Sequence, residues 1–357
     1  MISCRKDAAE VGGSLPTLRL PLGLYSYSYP AMGPAYETSG LPFFEATPDD
    51  NPTTDAGAAL GRVLFYDVRL SANNSVSCAS CHKQSHGFAD RDAFSSGLHG
   101  LPTNRNASHL INLRYNRRQF WDMRTQTLEQ QVLLPIEHPI EMGLNLDQMI
   151  EKISSTDYYP ALFESAFGTP EMTTDRVSKA ISQFIRSIVS INSKYDQGFI
   201  SDYSNFTVQE LEGKNLFFNG VTRCNQCHMT GNFFTPQAMN NGLAPLNPMD
   251  SGFSVVTGNV ADIGKFKVPS LRNVAMTSPY MHDGRFASLM DVINHYDHGV
   301  VAQPTLDERV TQELTIGGTP YQLQLSNEEK EALVAFLHTL TDSTLLLDPR
   351  YSDPFDH

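Results

Sequence analysis

A chain of 357 residues with 40% hydrophobic and 18% charged residues is long enough for two core-bearing units and too apolar for disorder to be its ground state. Its formal net charge of −13 argues against nucleic acid or an anionic membrane surface as partner, because either needs a basic footprint; a basic redox protein is what such a surface would steer. The sequence contains no run of about eighteen apolar residues that would cross a bilayer.

Residues 1–40 are rich in Pro, Gly and Tyr and read as an irregular extension. Met1-Ile2-Ser3-Cys4 reads as the end of a bacterial lipoprotein signal, with Cys4 the acylated residue and the protein tethered to a membrane; the other reading of Cys4 is an ordinary free thiol. A first unit is expected over 41–205. In it Gly61-Arg-Val-Leu64-Phe65 precedes Cys78-Ala-Ser-Cys81-His82. Val177, Ile181, Phe184, Ile185 and Ile188 then recur at helical spacing and predict an amphipathic helix that faces a core. The polar stretch Asp202-Tyr-Ser-Asn-Phe206 is the expected boundary.

The second unit, 206–345, opens on Thr207-Val-Gln-Glu210, a capping box. Gly213-Lys-Asn-Leu216-Phe217 then precedes Cys224-Asn-Gln-Cys227-His228, in the same order as in the first unit, and reads as a divergent duplication. Long Pro- and Gly-bearing loops such as 229–265 follow. Leu289, Val292, Ile293 and Tyr296 predict a helix with Tyr296 on its apolar face. Ser326-Asn-Glu-Glu329 caps another, whose Leu333, Phe336, Leu337 and Leu340 share a face. Residues 346–357 form a tail.

The chemistry lies in the cysteines. Four of the five form two C-x-x-C-H motifs, the attachment signature of c-type haem: two thiols add across the haem vinyl groups and the adjacent histidine is placed beneath the iron. Thioredoxin-type chemistry does not call for a histidine after both pairs, and a zinc site would bring the pairs together. Haem fills volume that side chains would otherwise occupy, so the fold is expected to be mainly α with little sheet: two cytochrome c-like domains, each with one covalent haem c, and long irregular loops. The second haem needs a further ligand, which Tyr296 offers. The alternatives are a buried tyrosine hydrogen-bonded to a propionate or carbonyl, with Met281, Met276 or Met290 as ligand.

Phe120-Trp-Asp-Met-Arg124, Pro139-Ile-Glu-Met-Gly143, Phe266-Lys-Val-Pro-Ser-Leu-Arg-Asn273 and Pro279-Tyr-Met-His-Asp-Gly-Arg-Phe286, with the two haem motifs, resemble the bacterial di-haem cytochrome c peroxidase family, which includes the MauG-type enzymes, from about Leu41 to Asp342. The resemblance implies that peroxide reacts at His82's haem and that His228's haem collects electrons. It implies that Glu141 moves the proton during O–O cleavage, with Gln131 and Pro135 lining that pocket. It makes Trp121 the electron relay between the haems, and Asn106, Thr277 and Pro279 oxygen donors to a calcium ion. His99 falls near the histidine that caps the first iron in members needing reductive activation. Members with methionine at the position of Tyr296 are the better-known peroxidases, whereas MauG-type members have tyrosine there.

The first reading is therefore a periplasmic or cell-envelope peroxidase that reduces hydrogen peroxide to water with electrons from a small cytochrome c or cupredoxin. The alternative is a MauG-type enzyme that uses a high-valent di-haem state to oxidise residues of a partner protein. A third class is a pure electron carrier. Homodimer formation is an expectation from the family alone.

Overall fold

The structure, a computed structural model, describes residues 15–20, 22–23, 25–27, 45–229, 231–246 and 248–356. Cys4 lies outside them. Helix α1 (Asp55–Tyr66) starts where the Thr54 side chain accepts from Gly57 N, and the one-turn helix α2 is Cys78–Cys81. They are followed by α3 (Leu128–Glu137), α4 (Leu146–Ser154), α5 (Tyr159–Phe167) and α6 (Thr174–Ser187), capped by Thr173. The face expected to be apolar in α6 is buried, and Ile188 packs there from just beyond the helix end.

Next come α7 (Lys194–Ile200), α8 (Val208–Phe218), the one-turn α9 (Cys224–Cys227), α10 (Leu289–Asn294), α11 (Asn327–His338) and α12 (Ser343–Leu347). Both expected capping boxes form, at Thr207–Glu210 and Ser326–Glu329. Among the described residues, sheet is confined to two antiparallel pairs of two-residue strands: β1 (Thr17–Leu18) with β4 (Phe355–Asp356), and β2 (Ala238–Met239) with β3 (Phe266–Lys267). The molecule is thus mainly helical, as expected.

Two hydrophobic clusters organise these elements. In the first, α1 crosses α6; in the second, α8 crosses α11. Leu345, Tyr351 and Phe355, near the C-terminus, pack into the first cluster, and Tyr195 of α7 packs into the second. The duplication seen in sequence is physical. A Cβ on Gly61 would lie 1.9 Å from the Ala180 carbonyl oxygen, and one on Gly213 would lie 1.8 Å from that of Ala332. Each glycine lets two backbones touch beneath the same trio of rings. Phe65 meets Phe184 at 5.2 Å and Phe88 at 6.4 Å; Phe217 meets Phe336 at 5.1 Å and Phe233 at 5.9 Å. Gly213→Ala must therefore push two helices apart. It is expected to destabilise the protein by about 1–3 kcal/mol, read as a lowered thermal midpoint of the holoprotein.

Candidate active site

Each C-x-x-C-H segment folds as one helical turn followed by a loop that returns to the histidine. His82 Nδ1 lies 3.0 Å from the Phe88 carbonyl oxygen, and His228 Nδ1 lies 3.0 Å from that of Phe233. A carbonyl only accepts, so Nδ1 carries the proton and Nε2 keeps the lone pair a metal ligand needs. Burial holds both imidazoles below their usual range, His228 at about 4, which keeps them neutral. The second loop is held by Arg272, buried in an ion pair with Asp196 at 2.6 Å, whose guanidinium also donates to the Gly231 carbonyl at 2.8 Å. No disulfide joins Cys78, Cys81, Cys224 and Cys227, and burial pushes the thiols of Cys78 up to about 12, of Cys81 to about 11 and of Cys227 to about 12. Protonated thiols of this kind are poor nucleophiles, which counts against thiol–disulfide catalysis. Two thiols and one Nε2 lone pair on each turn fit the donor set of c-type haem.

The Glu141 side is built by α3. Thr127 caps it, and Gln131 and Pro135 are four residues apart, on one face. The chain then folds back: Met142 N donates to the Pro135 carbonyl at 3.2 Å, and Gly143, at φ +61, donates to the His138 carbonyl at 2.9 Å. This turn returns Glu141 towards the Gln131–Pro135 face. Burial raises the Glu141 carboxyl above its ordinary range, while His138 and Arg124 pull it back. Its charge in turn raises both Cys78 and Cys81, which places it on the side of the first motif.

His138 is a residue that sequence reasoning missed. Its Nδ1 stands 3.6 Å from Glu141 Oε1 and has no hydrogen-bond partner. The signal was a histidine three residues before the glutamate in His-Pro-Ile-Glu. The loop bearing His99 is clamped to the same turn, with Leu98 N donating to the Ile140 carbonyl at 2.6 Å. The His99 side chain itself is exposed, on a residue at φ +58.

Between the two clusters, Trp121 Nε1 donates to the Asn106 carbonyl at 2.9 Å, and the Trp121 carbonyl accepts from Lys267 N at 2.7 Å. Asn106 N donates to the His282 carbonyl at 2.8 Å, so Asn106 meets the loop that carries Thr277 and Pro279. Among the described residues no three His, Cys, Asp or Glu side chains group as metal ligands, so a cation at Asn106, Thr277 and Pro279 would rest on neutral oxygens.

Tyr296 departs from expectation in one respect. The α-helix ends at Asn294, and Tyr296 sits in a π-helical turn, His295–Gly299. Widened turns of this kind are frequent at functional sites. Burial pushes its phenol up to about 12, with Asn241 lowering it and Cys227 and Cys224 raising it, so the hydroxyl faces the second motif. Asn241 Nδ2 lies 3.3 Å from the Tyr296 hydroxyl and 3.5 Å from Met281 Sδ. Tyr296 and Met281 therefore share one amide.

The family model described as di-haem cytochrome c peroxidase matches residues 55–204. The methylamine utilization protein MauG of Methylorubrum extorquens is 35% identical over 82% of this chain and 80% of its own length. The cytochrome c551 peroxidase of Nitrosomonas europaea is 34% identical over 80% of this chain and 79% of its own. A crystal structure of a MauG-like protein associated with microbial copper homeostasis superposes with a TM-score of 0.77 at 34% identity, covering 88% of this chain and 99% of that one.

Proposed function

This chain belongs to the di-haem cytochrome c peroxidase family, and from that premise we propose that it reduces hydrogen peroxide to water at His82's haem, with electrons collected at His228's haem. It is a haem peroxidase that takes hydrogen peroxide and works with a redox or protein partner. Bound haem supplies the iron that receives peroxide and the ring that conducts electrons. Cys78 and Cys81, and Cys224 and Cys227, would hold one haem each through thioethers, and His82 and His228 would be the nitrogen ligands.

One observation carries the reading: a carboxyl raised by burial, Glu141, whose charge reaches the first cysteine pair. Glu141 takes a proton from one peroxide oxygen and returns it to the departing one. Gln131 and Pro135 wall that pocket. Trp121, hydrogen-bonded through both its ring and its carbonyl, is held rigidly as the relay. Asn106, Thr277 and Pro279 would hold a calcium ion through neutral oxygens, His99 would serve the first haem's iron in the resting state, and Tyr296 would be a ligand to the second. The electron donor is a small cytochrome c or cupredoxin, met outside the cytoplasm. Among the described residues no helix is long and apolar enough to cross a membrane.

The primary test is pyridine haemochrome and intact mass, which should agree on two covalent haems, with peroxide turnover from a reduced small cytochrome. One haem, or none, overturns the reading. A second reading, oxidation of a partner protein as in MauG-type enzymes, is favoured by the position of the Tyr296 hydroxyl over the second motif. Stopped-flow mixing separates the two. Peroxide reaction of the fully oxidised protein favours the second, and reaction only after reduction favours a gated peroxidase.

His138 gives a pH prediction. Glu141 must be deprotonated to accept a proton, so activity is present above its pKa and lost as pH falls through it. Protonated His138 lowers that pKa. His138→Phe removes this pull and should move the acid limb of the kcat/KM profile to higher pH, leaving the alkaline plateau in place. An acid limb at the parent's position would remove His138 from this role.

A further inference from the structure

Among the described residues, no side chain neutralises the nearly buried charge that β3 carries. Lys267 is only 5% exposed, and among the described residues its ammonium makes no ion pair and no hydrogen bond. Burial alone acts on it and pulls it down to about 8. Asp122, which follows Trp121, and Asp250 are engaged by Arg105, at 2.6 Å and 2.7 Å. A nearly buried ammonium without an anion is unfavourable, and an anion reaching it through the cleft it lines would relieve that cost.

The surroundings say what completes it. Lys267 lines a narrow cleft with Ser108, His109, Asn116, Pro269 and Ser270. At one end the Ser108 backbone stands beside His82, and at the other the Pro269 backbone stands beside His228, so the cleft lies between the two motif histidines. Within it His109 Nδ1 and Asn116 Oδ1 also lack partners. His109 Nε2 donates to the Ser270 carbonyl at 3.0 Å, so its Nδ1 bears a lone pair. Both orphans are neutral acceptors: they can take hydrogen bonds from the ammonium or from water, but they cannot cancel its charge.

We propose that Lys267 is a cofactor-binding residue whose ammonium pairs with a propionate carboxylate of one of the two haems, the anionic group that a haem brings to the space between His82 and His228. The proposal rests on the haem reading of the two motifs. Its consequence is electronic. A cation beside the propionate offsets the negative charge that stabilises ferric iron, so Lys267 holds that haem's potential up. Its own backbone N–H donates to the Trp121 carbonyl, which puts this charge beside the proposed relay.

The test is spectroelectrochemistry of the holoproteins Lys267→Met and Lys267→Arg beside the parent, with haem content measured separately. Methionine fills the same space without charge and is tolerated in a buried position. In Lys267→Met one haem should become about tenfold harder to reduce, a fall of about 59 mV for a one-electron couple, and Lys267→Arg should restore it. The haem that moves is the one bearing the propionate. Both potentials unchanged in a Lys267→Met protein holding two haems overturn the pairing. Should Lys267→Met fail to accumulate, Lys267→Gln decides on the same reading. A parent protein with fewer than two haems instead counts against the haem reading beneath it.

Discussion

Glu141→Gln is expected to lower peroxide turnover about a hundred- to ten-thousand-fold while both haems and the fold remain, the range in which general acid–base groups contribute. Glutamine keeps the shape of the side chain and loses the ability to take a proton and give it back. The fold is indifferent to the change. The turn that presents residue 141 is held by main-chain bonds: Glu141 N to the His138 carbonyl at 3.0 Å, Gly143 N to the same carbonyl at 2.9 Å, and Leu98 N to the Ile140 carbonyl at 2.6 Å. Only the charge disappears. Burial has already raised the carboxyl, so it exchanges a proton more readily near neutral pH than an exposed glutamate would. Steady-state turnover with a reduced small cytochrome, beside haemochrome content and ferric spectra, measures the effect. Turnover within about twofold of the parent would exclude Glu141 as the proton carrier and leave the peroxide pocket without its acid–base group.

How much of this was legible in the sequence depends on range. Features set within one turn were readable: the two C-x-x-C-H motifs, the capping boxes at Thr207 and Ser326, and the stripe of α6. The duplication was readable as Gly61 and Gly213, but its reason was not. That reason is a carbonyl from another helix about 120 residues away in each half, Ala180 and Ala332. The same limit hid His138, since nothing local says that its ring stands by Glu141, and it hid Lys267, whose isolation shows only once its surroundings are assembled. A helical wheel put Tyr296 on a face it reaches by another route, because the widened turn at His295–Gly299 has no signature in hydrophobic period. Glu141, Trp121 and the Asn106–Thr277–Pro279 set were visible only through family resemblance. As residue types they are an acid in a turn, a lone indole, and three neutral oxygens.

The second large effect is expected at Tyr296. If its phenolate binds the second iron, that haem should be low-spin ferric with a low reduction potential, because an anionic oxygen stabilises the higher oxidation state. Tyr296→Met should raise the potential on the order of 0.1 V or more, inside the roughly 0.8 V that axial ligands command. It should also move the protein towards reactivity that begins only after reduction. Tyr296→Phe keeps the ring and removes the donor, so a coordination position should open and the spin state should change. The fold has little to lose, because among the described residues the hydroxyl's one hydrogen-bond partner is Asn241 Nδ2 at 3.3 Å, and that amide still has Met281 Sδ at 3.5 Å. Met281 also sets the competing outcome. If it is the ligand in the parent, Tyr296→Phe leaves spin state and potential where they were, whereas Met281→Leu shifts both. Spectroelectrochemistry and ferric spectra of the parent and the three variants separate the two assignments. An unchanged second haem in Tyr296→Phe removes the main support for the protein-oxidising reading. The peroxidase reading survives it, because that rests on the family, the two haem motifs and Glu141.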